Sequence, residues 1–158
     1  LIRRRNKVVS ARPLKIGVFK FDPAASIPYK AHPGDVALDV CSLEAFSIRP
    51  GERHVAKTGL GFELPAGHEL QVRPRSGLAA NHGITIINSP ATFEPTYRGE
   101  LKIILLNTDL KQTFEVQAGD RIAQLVVKPF IETVETFELS EIDQNTERGD
   151  RGLGSSGK

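Results

Sequence analysis

The chain has 158 residues, 39% hydrophobic and 25% charged, with a formal net charge of +2. That length favours one domain, able to bury roughly 70% of its unfolded surface without disulfides or a structural metal. Near-neutral charge makes no global demand for nucleic acid or an acidic membrane, and no apolar run approaches the ~20 residues of a membrane helix. The single cysteine, Cys41, has no internal partner, which suits a reducing compartment.

Residues 1–12 carry Arg3, Arg4, Arg5, Lys7 and Arg12, with no acid before Asp22. This basic extension reads as a solvated end, with a nucleic-acid arm or a targeting remnant as the alternatives. No apolar core follows its charges, so no signal peptide is visible, and the sequence contains no methionine. Leu14, Ile16 and Val18 alternate and predict a strand. Further strands are expected at Val36 to Val40, Phe46 to Ile48, Val55 to Thr58, Gly61 to Leu64 and Leu70 to Val72, separated by Arg49-Pro50-Gly51 and Pro65-Ala66-Gly67 turns.

Leu78 to Gly83 has helical composition and a glycine stop. Gly83 to Glu100 reads as a β-hairpin with a long polar tip, since an apolar run is followed by turn residues, an acid, an aromatic and an arginine. Strands Leu101 to Asn107, Thr113 to Val116 and Arg121 to Val127 follow, and Val134 to Leu139 is expected to be a last one. Short strands at roughly 8–12-residue spacing argue for an all-β sandwich, jelly roll or barrel. The expected organisation is an extension over 1–12, a β domain over 13–143, and a polar, glycine-rich C-terminal arm over 144–158.

Three features carry chemistry. Arg73-Pro74-Arg75-Ser76-Gly77-Leu78 ends a strand and starts the helix, where two guanidiniums, a hydroxyl and unpaired N–H groups are expected to converge on an anion. A plain helix cap by Ser76 is the bland alternative. The end of the arm has Gly-x4-Gly-Lys spacing, but no Ser/Thr and no helix follow in the sequence, so a P-loop is rejected. Asp35, Asp39, Glu94, Glu100 and Asp120 stand at turns or strand ends, and hard carboxylates suit Mg²⁺. The four histidines lack paired metal-ligand spacing and there is no Gly-x-Ser-x-Gly elbow, which disfavours zinc and serine-hydrolase chemistry.

Five blocks in order resemble the trimeric dUTP pyrophosphatase (dUTPase) family. They are Ala31 to Val40, Pro74 to Leu78, the Gly83 to Glu100 hairpin, Gly119 to Leu125, and Arg148 to Gly157. The resemblance implies an all-β, jelly-roll subunit and a homotrimer with shared active sites. It implies Mg²⁺-dependent hydrolysis of dUTP to dUMP and pyrophosphate, which limits uracil in DNA and supplies dUMP. No stable nucleic-acid or membrane partner is expected, and a cytoplasmic location is, with nucleus or organelle left open. In the roles it implies, Asp39 holds the Mg²⁺ water shell, and Arg75, Ser76, Gly77 and Gln124 grip phosphates. Asn88, Ala91, Thr92, Phe93 and Lys102 surround uracil, and Tyr97 packs on deoxyribose and excludes a 2′-hydroxyl. Arg148 and Gly154-Ser155-Ser156 bind the outer phosphates, Leu153 covers the base, and Glu94 activates the attacking water.

The chain departs from the family pattern where Glu94 replaces the usual aspartate, Ala91 a usual glycine, Val36-Ala37 a usual Ala-Gly, Leu153 a usual tail aromatic, and Arg151 a usual glycine. The extra methylene of Glu94 moves its carboxylate by ~1.5 Å, and a misplacement of ~1 Å can cost on the order of 10²-fold in rate. Two readings follow: an active dUTPase, or a dUTP-binding member with impaired catalysis and a regulatory role. The related dCTP deaminases are set aside, because the strand Leu101 to Leu106 lacks the acid that resemblance would require.

Overall fold

A computed structural model of the chain describes residues 13–150. Among them the strands are β1 (Gly17–Lys20), β2 (Leu38–Cys41), β3 (Phe46–Ile48), β4 (Arg53–Lys57), β5 (Leu60–Glu63), β6 (His68–Arg73), β7 (Ile84–Ile86), β8 (Ala91–Phe93), β9 (Lys102–Asn107), β10 (Phe114–Val116) and β11 (Arg121–Pro129). One short helix, α1 (Ser76–His82), lies between β6 and β7. All ladders among these strands are antiparallel, and they form four sheets: β1-β5, β10-β3, β2-β11-β6-β8 and β4-β9-β7. The expected all-β, jelly-roll-type class is the one observed.

The period-two pattern explains the packing. Along β9, Ile103, Leu105 and Asn107 point inward while Lys102, Ile104 and Leu106 are less covered. Ile103 and Leu105 join Leu60, Leu70, Ile84, Ile122 and Leu125 in one continuous core. Asn107 is fully buried but satisfied: its Nδ2 donates to Ile48 O (2.9 Å) and Gln112 O (2.8 Å), and its Oδ1 accepts from Asp109 N–H (2.9 Å). Its amide thus ties β9, β3 and the β9–β10 loop together.

The expected hairpin is β7–β9, in register Ile84↔Asn107 to Ile86↔Leu105. Its long tip contains β8, which leaves that sheet and pairs with β6, Val72 opposite Ala91 and Leu70 opposite Phe93. The tip is therefore held at both ends by strands of different sheets. The predicted helix stop also holds: Gly83 is left-handed (φ 64°) and its N–H returns to Ala79 O at 3.2 Å.

Most boundaries shift by one or two residues, and three differences from the sequence expectation have a visible physical reason. Val134 to Leu139 forms no strand, and Val134, Phe137 and Leu139 are 71%, 81% and 60% exposed. Their spacing changes phase between Val134 and Phe137, so no single face is apolar, and no described strand of the chain lies alongside to complete a ladder. β2 starts at Leu38 because Asp35 closes a turn on His32, with His32 N–H donating to Asp35 Oδ2 at 2.8 Å. β1 starts at Gly17, where pairing with Glu63 begins, although Ile16 already packs on the core.

Candidate active site

The four-stranded sheet sets one row of polar side chains. Asp39 on β2 lies opposite Gln124 on β11, and Gln124 opposite Arg73 on β6. These three, with Ala31, Asp35, Val36, Ala37 and Val126, line a cavity of about 320 Å³. Asp39 is the focus of charge: Oδ1 is 3.3 Å from Arg75 Nε and Oδ2 is 3.1 Å from Arg121 Nη1. Arg75 Nη1 also donates to the carbonyl of Arg121 at 2.9 Å, and Gln124 Nε2 donates to Pro74 O at 2.8 Å. The turn that follows β6 is thereby anchored to β11.

The two guanidiniums expected to converge do not act together: Arg73 donates to Gln71 Oε1 (2.6 Å), whereas Arg75 reaches Asp39. Arg75 is also the helix N-cap and makes no side-chain cap, so the plain-cap reading of Ser76 does not apply. The first helical bond is Ala79 N–H to Arg75 O, and Ser76, Gly77 and Leu78 precede it with N–H groups that no helical carbonyl can reach. A Cβ at Gly77 would meet nothing within 4 Å, and its φ is not left-handed. Neither packing nor backbone conformation in the described chain requires glycine there.

The hairpin tip builds a second cavity, of about 310 Å³. Asn88, Ala91, Thr92, Phe93, Glu94, Tyr97 and Lys102 line it together with Val72, Glu100 and Leu101. Phe93 is buried and forms its floor. Tyr97 stands edge-on to Phe93, centroids 5.1 Å apart, and its hydroxyl approaches Glu100 O at 3.4 Å. Gly99 makes that pose possible, since a Cβ there would lie 2.2 Å from the Tyr97 hydroxyl. Tyr97 N–H closes a turn on Glu94 O (3.0 Å), leaving the Glu94 side chain exposed at the rim.

The chain folds these two cavities together with a sequence signature that has relatives. The dUTPase family model matches residues 24–157. The chain belongs to the dUTPase family. A deoxyuridine 5′-triphosphate nucleotidohydrolase of Leifsonia xyli is 46% identical over 134 residues, covering 85% of this chain and 87% of that protein. The one from Clostridium novyi is 44% identical over 144 residues, covering 91% and 99%. Among solved structures, the Staphylococcus bacteriophage 80alpha dUTPase with dUpNHpp superposes with a TM-score of 0.80 at 26% identity, over 91% of this chain and 99% of that one.

Within this dUTPase-family chain the five candidate carboxylates separate by duty. Asp35 accepts from His32 N–H and Asp120 from Gln117 N–H (2.8 Å), each closing its own turn, while Glu100 accepts from the distant Gly59 N–H (2.9 Å) and ties the start of β9 to the β4–β5 connection. Asp39, paired with Arg75 and Arg121, lines the first cavity, and Glu94 lines the second. Among the described residues no three acids, histidines or cysteines group as a metal cage. A single carboxylate at a cavity rim nevertheless fits Mg²⁺, which keeps several waters and binds largely through substrate phosphates. Ala91 carries no left-handed strain, because no described non-glycine residue has positive φ. Its methyl lines the second cavity instead. Arg148 is exposed on the segment after β11, while Arg151, Leu153, Gly154, Ser155 and Ser156 lie outside the described residues.

Arg121 is the residue that sequence reading missed. Its block was recognised, but the side chain was assigned no role. Its local pattern, two residues after the turn glycine Gly119 at the start of a strand, does not mark the side chain; the register against β2 does.

Cys41 follows Asp39 by two residues on β2 and faces Arg121 in register. Burial, with the negative charge of Asp39 second, pushes its thiol pKa up from the ordinary value.

Proposed function

We propose that this chain hydrolyses dUTP to dUMP and pyrophosphate. The observation that carries the reading is the cavity at the hairpin tip, which gathers Asn88, Ala91, Thr92, Phe93, Tyr97 and Lys102 around one space with Glu94 at its edge. In this reading the base lies against Ala91 and Phe93, with Asn88 and strand-edge backbone groups supplying the donors and acceptors for a pyrimidine edge. Tyr97 packs on the sugar in this reading and excludes a 2′-hydroxyl.

Glu94 accepts a proton from a water as its oxygen bonds to the α-phosphorus, and the α,β-bridging oxygen leaves with pyrophosphate. Arg75, the Ser76 hydroxyl, the Gly77 N–H and Gln124 bear the charge on the phosphates, with Arg148 and the Gly154-Ser155-Ser156 run of the arm closing over them. Asp39 would hold Mg²⁺ through its water shell, and the ion would supply positive charge against the phosphates. Residues 13–143 form the nucleotide-handling body in this reading, and 144–158 the arm.

The site is shared within a homotrimer. Asp39 and β8 lie three strands apart in one sheet, and Glu94 is four residue rows further along. Strand spacing and rise put Asp39 and Glu94 roughly 19 Å apart in one chain. That separation supports a reading in which a second copy supplies one half of the site. The segment after β11 exposes Ile131, Val134, Phe137, Leu139 and Ile142, apolar side chains that assembly would cover.

Mixing Asp39→Asn with Glu94→Gln subunits after unfolding and refolding tests both statements. Each variant alone is expected to release little pyrophosphate from dUTP, and mixed trimers to recover a substantial fraction of the parent rate. No hydrolysis by the parent refutes the activity, and no recovery in mixtures refutes the shared site.

A further inference from the structure

Asp39 carries two guanidiniums, and only one of them, Arg75, has a part in the reading above. The second is placed by an irregularity in β11. Gln124 lies opposite Asp39 and Ala123 opposite Val40, but Arg121 lies opposite Cys41, so Ile122 is an extra residue in the strand. In an unbroken strand Arg121, three residues before Gln124, would face away from Gln124 and Asp39. The bulge turns it back, and Nη1 reaches Asp39 Oδ2 at 3.1 Å. Both Ile122 and Ala123 stay buried, at 2% and 0% exposure, so the irregularity costs the core nothing visible. The turn before it is pinned by Ser42 N–H to Asp120 O (2.8 Å) and Gly119 N–H to Ser42 O (2.9 Å).

We infer that Arg121 is a positioning residue: it neutralises and aims Asp39 while Arg75 is transferred from Asp39 to the triphosphate. Resting as it does on the dUTP reading, the proposal follows from charge and reach. Asp39 has 13% side-chain exposure, and Arg75 and Arg121 have 25% and 41%. If Arg75 leaves for phosphate and no guanidinium stays behind, only the water shell of Mg²⁺ would stand between a largely desolvated carboxylate and a polyanion, which opposes binding. Arg121 shares the carboxylate through a separate oxygen, so Arg75 can leave without exposing that charge. The main-chain carbonyl of Arg121 accepts from Arg75 Nη1, so the same residue also marks where Arg75 starts. Gln124 and Tyr29 flank Asp39 by main-chain pairing and Cys41 follows it on β2, none of them positively charged, while Arg73, which lines the same cavity, donates to Gln71.

Calorimetric titration of the full chain with dUpNHpp and with dUMP, each with and without Mg²⁺, tests this in Arg121→Ala, Arg121→Lys, Asp39→Asn and the Arg121→Ala/Asp39→Asn double variant. Arg121→Ala is expected to weaken Mg²⁺-supported dUpNHpp binding by about tenfold or more while dUMP binding changes less than about twofold, as expected for a charge pair coupled to the outer phosphates. Arg121→Lys should recover part of the loss, and in the Asp39→Asn background Arg121→Ala should add less than about twofold. Equal losses in both backgrounds, equal losses for dUMP, or no loss overturns the proposal. If Arg121→Ala fails to fold by its melting curve, Arg121→Lys and Arg121→Gln carry the comparison, with parent-like binding by Arg121→Gln refuting it. A parent chain that does not bind dUpNHpp refutes the functional reading, and the role of Arg121 with it.

Discussion

Replacing Gly99 by alanine should damage the nucleoside pocket without damaging the fold. Gly99 has no left-handed φ, so alanine is conformationally permitted. The added Cβ would sit 2.2 Å from the Tyr97 hydroxyl, 2.4 Å from the ring carbon bearing it and 3.0 Å from a ring edge. Ordinary carbon contacts need about 3.5 Å, so the ring must move by ~1.3 Å or swing away. Tyr97 is 48% exposed, so it has solvent to move into, and stability should change by no more than about 1 kcal/mol. A shift of ~1 Å in a substrate-positioning group costs up to about 10²-fold. Steady-state pyrophosphate release from dUTP and from UTP is the assay. The expected outcome is a fall of roughly tenfold to a hundredfold in kcat/KM for dUTP and a smaller fall for UTP, so that sugar discrimination narrows. Parent-like kcat/KM and an unchanged dUTP/UTP ratio in a folded variant would show that Tyr97 does not define the sugar pocket.

Gly77→Ala should melt like the parent, because the added methyl meets nothing in the chain; its dUpNHpp affinity should drop severalfold because that methyl stands where phosphate approaches, and parent-like affinity would remove Gly77 from the site. Asn107→Ala leaves two carbonyls and one N–H without their buried partner. A loss of about 3 kcal/mol is expected, read as a fall in Tm on the order of 10 °C. The Cys41 thiol, with its pKa raised mainly by burial, should react slowly with a disulfide reagent in the native protein at mildly alkaline pH and rapidly once unfolded. The linkage sign is that of a group whose folded pKa is raised: its contribution is present below the unfolded thiol pKa and is lost as pH climbs through the folded one.

The elements that were legible in the sequence are those specified by local chemistry. Phe46 to Ile48 is a strand because an apolar-polar-apolar triplet abuts a Pro-Gly turn, and α1 stops at Gly83 because glycine takes the left-handed conformation without strain. The hairpin was legible because both its strands are apolar and its tip is not. What the sequence could not display is long-range pairing. β8 belongs to the tip by sequence and to the β6 sheet by hydrogen bonding, a partnership across about twenty residues that no local pattern encodes. The bulge at Ile122 is equally silent, since Arg121-Ile122-Ala123-Gln124 looks like any strand start. Only the register against β2 shows that Arg121 turns toward Asp39. The expected strand at Val134 to Leu139 failed for the opposite reason. β-prone residues were present, but a strand exists only with a neighbour to pair with.

Position 94 was legible as an acid, and the structure adds its setting: an exposed carboxylate just beyond β8, at the rim of the nucleoside cavity. The central claim is that this carboxylate activates the water that cuts dUTP. The direct test is pyrophosphate release from dUTP with Mg²⁺ by the parent, Glu94→Asp and Glu94→Gln at equal enzyme concentration. Measurable turnover by the parent is expected, with a higher rate for Glu94→Asp as the carboxylate retreats by one methylene and a loss of about 10²-fold or more for Glu94→Gln. Parent-like turnover by Glu94→Gln would contradict it. So would dUTP binding without hydrolysis by both the parent and Glu94→Asp, the behaviour of a nucleotide-binding protein and not an enzyme.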